Sequence, residues 1–326
     1  MMRKRIFTVI FYKTEYGMIK KEGVKEMMDN ITISNQQLIV QINPHGAELM
    51  SIRDNFGDSA EQVEYLWQGD SKYWGDRAPV LFPYIARLTN GRYRLNGNEY
   101  EMDIHGFAKD SMFEVVELQQ SSVTLALKSS EETYRQYPYR FQFEIIYHLE
   151  GKRLDVIFCV TNLDEKEMFF GIGGHPGFNV PLERGLSFDD YVLEFSKECH
   201  PKKIRFSKDC FVEGTLEEFI LKQDKVLPLR HHLFDEDAII LTDINRQITL
   251  KSEKGNRAVS VIFPDMDFLG IWHKPNTDAP YVCIEPWSSL PSRKGIVEEL
   301  TEQPGLIRLK AGEVYRNTWS IEIQTR

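Results

Sequence analysis

No stretch of this chain approaches the run of about 18 consecutive apolar residues that a membrane-spanning helix needs. A short apolar patch near the start, in "MMRKRIFTVIFYKTEYG", is cut off by Lys13 and Glu15. No small-residue cleavage site follows, so the patch does not read as a secretory signal. Both observations point to a cytoplasmic protein without a membrane partner. Cysteine is scarce, with four in 326 residues. Cys159, Cys199, Cys210 and Cys283 form no CxxC and match no zinc-ligand spacing, so free thiols in a reducing compartment are expected. Positive charge is in deficit: 40 Lys and Arg against 49 Asp and Glu give a formal net charge of −9. That argues against a nucleic-acid-binding surface and for small, locally recognised partners. A long apolar stripe of helical period is absent too, as are internal repeats, low-complexity runs and linkers rich in Pro, Gly or Ser.

What is present is strand after strand. "ITISNQQLIVQIN" alternates on a period of two around a turn at Ser34 to Gln37. "GRYRLNGNEYEM" reads as a hairpin about Asn96-Gly97. "MFEVVELQQSSVTLALKSS" reads as another, turning near Gln120 to Ser122. The clearest hairpin places Phe141, Phe143, Ile145 and Tyr147 on one arm and Leu154, Val156, Phe158 and Val160 on the other, across Glu150-Gly151-Lys152. Helical signals are short: a turn or two within residues 59–76, one in "EETYRQYPY", and the best in "EGTLEEFI", Glu213 to Ile220. Many short strands with regular turn signals predict an all-β chain, a large antiparallel β-sandwich or barrel with a few short helices. Residues 30–326 read as one domain.

Residues 1–29 read as an extension outside that fold. Within "KKEGVKEMMDN", Lys-Glu-Gly can be encoded by AAG-GAG-GNN, which contains a bacterial ribosome-binding sequence. The expected translation start is then Met27 or Met28.

Three segments break the strand pattern with polar residues in Gly- or Pro-flanked settings: "DIHGFAKD" with His105, "GIGGHPGFNVPL" with His175, and "YVCIEPWSS" with Glu285. A lone histidine in a β protein is ordinarily a satisfied polar group, and a Glu ending a strand is ordinarily solvated. Glu285 departs from this because an apolar strand runs into it and Pro286-Trp287 follow, so partial burial is expected. A histidine and a carboxylate in one apolar cleft form an acid and a base usable near neutral pH. The glycines around His175 are expected to let a ligand approach the backbone. Arg87, after the apolar run Val80 to Ala86, reads as a rim arginine or as a fork donating to substrate oxygens. Asp235 and Asp237 precede an apolar strand and ordinarily would end a turn. Trp272, Trp287, Phe178 and Phe82 are expected mostly in the core, with room for an aromatic at the cleft to stack on a sugar ring.

In order, "IARLTNGRYRLNG", "HGFA", "GGHPGFNVPL" and "IEPW", followed by a tail with Ala311-Gly312-Glu313, resemble the aldose 1-epimerase (galactose mutarotase) family, closest to its LacX-like branch. The resemblance spans about Ile31 to Gln324. It implies a twisted antiparallel β-sandwich and an isomerase that interconverts the α and β anomers of a hexose without cofactor or metal, as a monomer or homodimer. It implies Glu285 as base, His175 as acid, His105 as a partner of the ring or anomeric oxygen, and Arg87 and Asp237 (less so Asp235) as sugar-binding residues. Galactose mutarotases proper carry Asn-Arg where this chain has Ala86-Arg87, His-Gly-Gly where it has His105-Gly106-Phe107, and His-Pro-Tyr where it has His175-Pro176-Gly177. These differences fall at the sugar site and leave the acid/base pair intact. The His-Gly-Phe form also resembles hexose-6-phosphate mutarotases, with Arg77, Arg87 or Lys109 as phosphate partners. Two other readings of the same residues stand beside these: a metal site on two histidines and a glutamate, and a non-catalytic sugar-binding or regulatory module.

Overall fold

The structure is a computed structural model that describes residues 7–14, 17–24, 30–55 and 62–325. The expected start turns on Met27 and Met28, which lie outside the described residues. Phe7–Thr14 and Gly17–Val24 pair with each other in a separate two-stranded sheet.

The rest is built on two large sheets in which every strand pairing is antiparallel. One has nine strands. Its centre is the run from Val314–Thr325 through Arg153–Asn162 and Phe141–Glu150 to Ser122–Lys128. The expected hairpin Phe141–Glu150/Arg153–Asn162 pairs over its full length, Phe141 opposite Asn162 to Glu150 opposite Arg153. Its alternation is visible in burial: Phe141, Phe143, Ile145 and Tyr147 are buried, and the residues between them are not. The turn at Asn96-Gly97 has positive φ at both residues, as a tight hairpin requires.

The second large sheet has eight strands and carries the site described below. Its spine is Phe268–Trp272 against Tyr281–Trp287, with Gly173–Gly174 and Gly177–Asn179 pairing on the other edge of Tyr281–Trp287. The inner faces of the two sheets share one core, in which Val282 and Ile284 meet Phe143, Phe158 and Trp319. The Phe82 ring lies 4.5 Å from that of Phe143 between them. The all-β antiparallel architecture is therefore as the strand pattern predicts.

Helix expectations fare unevenly. Glu131–Gln136 is a short α-helix, capped by Ser130, whose side chain accepts from the Thr133 N–H. The segment read as the best helix is instead the strand Val212–Glu218, paired with Lys202–Phe206. That strand lies at the sheet edge with nearly all residues exposed, and Arg205 pairs across it with Glu213 and Glu217. Cross-strand ion pairs and ladder hydrogen bonds override a helix propensity that no apolar stripe supported. Among the described residues of 62–76 there is no helix. Asp70 turns the chain there, accepting at its side chain from the Lys72 N–H and at its carbonyl from the Tyr73 and Trp74 N–H groups. No helix among the described residues is long and apolar enough to cross a membrane.

Candidate active site

The strand Tyr281–Trp287 is buried along its whole length, and its pleat sorts its side chains. Val282 and Ile284 point into the core between the sheets. Tyr281, Cys283, Glu285 and Trp287 occupy the opposite face, under loops. Glu285 stands opposite Gly270, where a β-carbon would come 3.2 Å from that of Glu285. Glu285 is 1 % exposed.

His175 sits on the bend between Gly173–Gly174 and Gly177–Asn179, both of which pair with the Glu285 strand. The carbonyl of Pro176 accepts from the Ile284 N–H at 3.1 Å, which ties the bend down. The imidazole Nε2 thereby lies 3.2 Å from Glu285 Oε2. The expected role of the neighbouring glycines is not what the structure shows. A β-carbon on Gly174 would lie 2.6 Å from the Trp319 ring, one on Gly173 2.8 Å from the Pro286 carbonyl, and one on Gly177 3.1 Å from Trp74. The room they leave is filled by protein, so these glycines seat the bend rather than admit a ligand.

His105 arrives on a different loop. Gly106 follows it at φ +73 and approaches Phe82 so closely that a β-carbon would stand 2.3 Å from the Phe82 carbonyl oxygen. Only glycine fits. The Ala86 N–H donates to His105 Nδ1 at 3.1 Å, which leaves the ring proton on Nε2. Burial, helped by His175, Lys109 and Arg87, holds His105 well below the usual histidine range, so it is a neutral N–H donor. The His105 and His175 rings are 5.5 Å apart, edge to face.

These residues open onto a cavity of about 320 Å³ whose wall includes His105, His175, Glu285, Arg87 and Asp237. That volume is at the small end of small-molecule sites. The five residues are far apart in sequence, and the structure brings all five to one wall. Asp235, the other aspartate considered, is exposed and lines an outer hollow instead. Asp237 Oδ1 accepts from the Trp272 indole N–H at 2.8 Å and the Ala238 N–H at 2.9 Å, and Oδ2 accepts from the Cys210 thiol at 2.9 Å. A carboxylate has about four acceptor positions, so one remains for a ligand hydroxyl. Burial and the bond to Asp237 push the Cys210 thiol up to about 12. Arg77, one of the three cations considered, donates to the Met50 carbonyl and stands off the cavity wall. Lys109 lines the cavity and pairs with Asp110. Arg87 lines it without an ion pair among the described residues.

Burial dominates the electrostatics of the central pair. It pushes the Glu285 carboxyl well above the usual range and the His175 imidazole down to about 3. Each shift opposes charge on its own group, so burial favours an uncharged pair, with the proton on the carboxyl and the imidazole neutral.

The aromatics divide between core and cleft, as expected, with Trp287 buried in the core and also on the cavity wall. Phe82 and Phe178 lie in the core, but Trp272 and Trp287 line the cavity. Trp74 was missed by sequence reasoning. Its ring lies 4.8 Å from that of His175 and crosses Trp272 edge to face at 5.6 Å. Cys210 also carried no signal, since a thiol bonded to a distant aspartate leaves no local pattern.

The sequence profile of the family described as Aldose 1-epimerase matches residues 29–322. Protein LacX (chromosomal) of Lactococcus lactis subsp. lactis is 34% identical over 302 residues, covering 90% of this chain and 99% of that protein. A galactose mutarotase-like protein from Lactobacillus casei ATCC 334 superposes with a TM-score of 0.83 at 32% identity, covering 91% of this chain and 100% of that one. A galactose mutarotase related enzyme from Lactobacillus acidophilus gives a TM-score of 0.82, also at 32% identity, with the same coverage. With its fold, its cavity and a profile match over most of its length, the chain belongs to the aldose 1-epimerase family.

Proposed function

We propose that the protein is an aldose 1-epimerase that interconverts the α and β anomers of a hexose by acid/base ring opening and closure. The observation that carries this is the buried His175–Glu285 pair, 3.2 Å apart on the wall of a sugar-sized cavity. The hydroxyl oxygen and the ring oxygen of a hemiacetal share one carbon, so base and acid must stand close together. Glu285, as carboxylate, removes the proton from the C1 hydroxyl, while His175, as imidazolium, gives one to the ring oxygen. The C1–ring oxygen bond breaks and leaves a free aldehyde. Rotation about C1–C2 presents the other face, and closure returns both protons with the roles exchanged. The pair needs only the one proton it already holds. Hydroxyl donors of the bound sugar favour the carboxylate/imidazolium form over the neutral one. His105, with its proton fixed on Nε2, donates to a substrate oxygen, and Asp237 accepts from a ring hydroxyl. Positioning of this kind lets one acid and one base suffice.

A second substrate class has its own support. Arg87 and Lys109 both stand on the cavity wall, and a phosphorylated hexose would place its phosphate against them. Anomer-exchange NMR over a panel of free and 6-phosphorylated hexoses tests both readings. Accelerated exchange of a free hexose is the expected result. Acceleration confined to phosphorylated sugars would move the substrate to the second class. Sugar binding without accelerated exchange of any member would contradict the enzyme reading and leave a binding module.

A further inference from the structure

The face of Tyr281–Trp287 that presents Glu285 carries a buried thiol which the proposed turnover does not use. Cys283 lies two residues before Glu285, on the same side of the pleat. The ligand atoms of His175, Cys283 and Glu285 all lie within 4.8 Å of one another. His175 is 9% and Glu285 1% exposed, and His175 Nδ1 and Glu285 Oε2 are buried without a hydrogen-bond partner. Nearly all buried polar atoms find partners, so two orphans in one cluster of three side chains call for an occupant.

We propose that His175, Cys283 and Glu285 form a capture site for a thiophilic divalent cation, with zinc as the fitting ion, and that its occupancy shuts off the cavity's acid/base pair. The donor set is one imidazole nitrogen, one thiolate sulfur and one carboxylate oxygen, all of them zinc ligands. Zinc bonds of about 2.0–2.3 Å put tetrahedral ligand atoms about 3.3–3.8 Å apart, so the cluster closes by about one ångström through side-chain rotation. The thiol proton and the one proton of the His175–Glu285 pair both pass to solvent as the zinc bonds form. Thiolate and carboxylate then match the two charges of the ion, which gives the neutral site that burial demands. The fourth position faces the cavity, which His175 and Glu285 both line. Magnesium and calcium, which favour sets of oxygen ligands, are not held. His105 stays outside the set because its Nδ1 is engaged by the Ala86 N–H. The shut-off rests on the acid/base reading above, whereas the binding does not.

Cobalt(II), which substitutes for zinc and reports thiolate ligation by a near-ultraviolet charge-transfer band, tests the binding on the full-length protein. The expected result is one cobalt per chain with that band, displaced by one equivalent of zinc and unaffected by magnesium. Cys283→Ala and the near-isosteric Cys283→Ser should each lose the band and weaken cobalt binding by at least about 100-fold, the top of the range seen for outer-shell partners alone. A wild-type protein without the band, or a Cys283 variant that keeps it, would overturn the site. Within each protein, the ratio of anomer-exchange rates with and without saturating zinc should fall at least tenfold for wild type and stay near one for Cys283→Ser. A wild-type ratio near one, in a protein that shows the band, overturns the shut-off alone. If no sugar is turned over at all, the cobalt spectra still decide the site.

Discussion

Glu285 is an acid buried where a hydrophobic residue would be more stable, and that tension is measurable. Its folded-state carboxyl is raised well above the ordinary value near 4.5, with burial the largest cause. A raised acid contributes stability that is fully present below its unfolded value and is lost as pH rises towards its folded value. Glu285→Gln does not titrate. The variant should therefore gain on wild type in thermal stability as pH rises from about 4.5 towards 7, by up to about 1.4 kcal/mol per pH unit. Melting curves across that window check it, and a stability gap independent of pH would contradict the burial account. Residue-scale chemistry was also where sequence was most informative. His105, His175 and Glu285 stand out because Gly or Pro flanks them in a chain of alternating strands. Their partners did not stand out. The bond from Trp272 to Asp237 and the approach of Trp74 to His175 join residues distant in sequence, and no local pattern encodes them.

At the scale of elements, the bend carrying His175 is a packing device. Gly174 lets the Trp319 ring of the nine-stranded sheet press against the eight-stranded one, with a virtual β-carbon 2.6 Å from that ring. Gly174→Ala should force ring or backbone to shift and cost about 1–3 kcal/mol of stability, the usual range for overpacking. Chemical denaturation reads this directly, and an unchanged midpoint would show that the bend has slack. The strand pattern itself was legible wherever one face is buried, as in Phe141–Glu150, because period-two alternation records burial. It failed at Val212–Glu218, an exposed edge strand with no buried face to write the alternation. The glycines around His175 were visible, but their purpose was not. Sequence shows that a side chain is missing, and only the fold shows that Trp319, Pro286 and Trp74 fill the space.

At the scale of the whole molecule, the site depends on closure of one sheet upon the other. The strand of Glu285 is held on its core face by Val282 and Ile284 and on the opposite face by the loops that bring His105, Arg87 and Asp237 to the cavity. Among the described residues the cavity wall is drawn from Trp74 to Trp287, the first two strands pair with each other, and the family match begins at residue 29. We propose that residues 1–27 stand outside the functional fold. A protein starting at Met28 should keep the melting temperature and turnover of the full chain, and a loss of either would contradict the proposal. The ordered set of short motifs made the overall architecture readable from the sequence, although no single motif could. What motifs cannot convey is burial, and burial is what holds the Glu285–His175 pair uncharged. That pairing is tested most directly by anomer-exchange NMR of Glu285→Gln on the hexose that the wild type turns over best. The expected result is an exchange rate lower by about two to four orders of magnitude with sugar binding retained. A near-normal rate in that variant would contradict the assignment of Glu285 as the base.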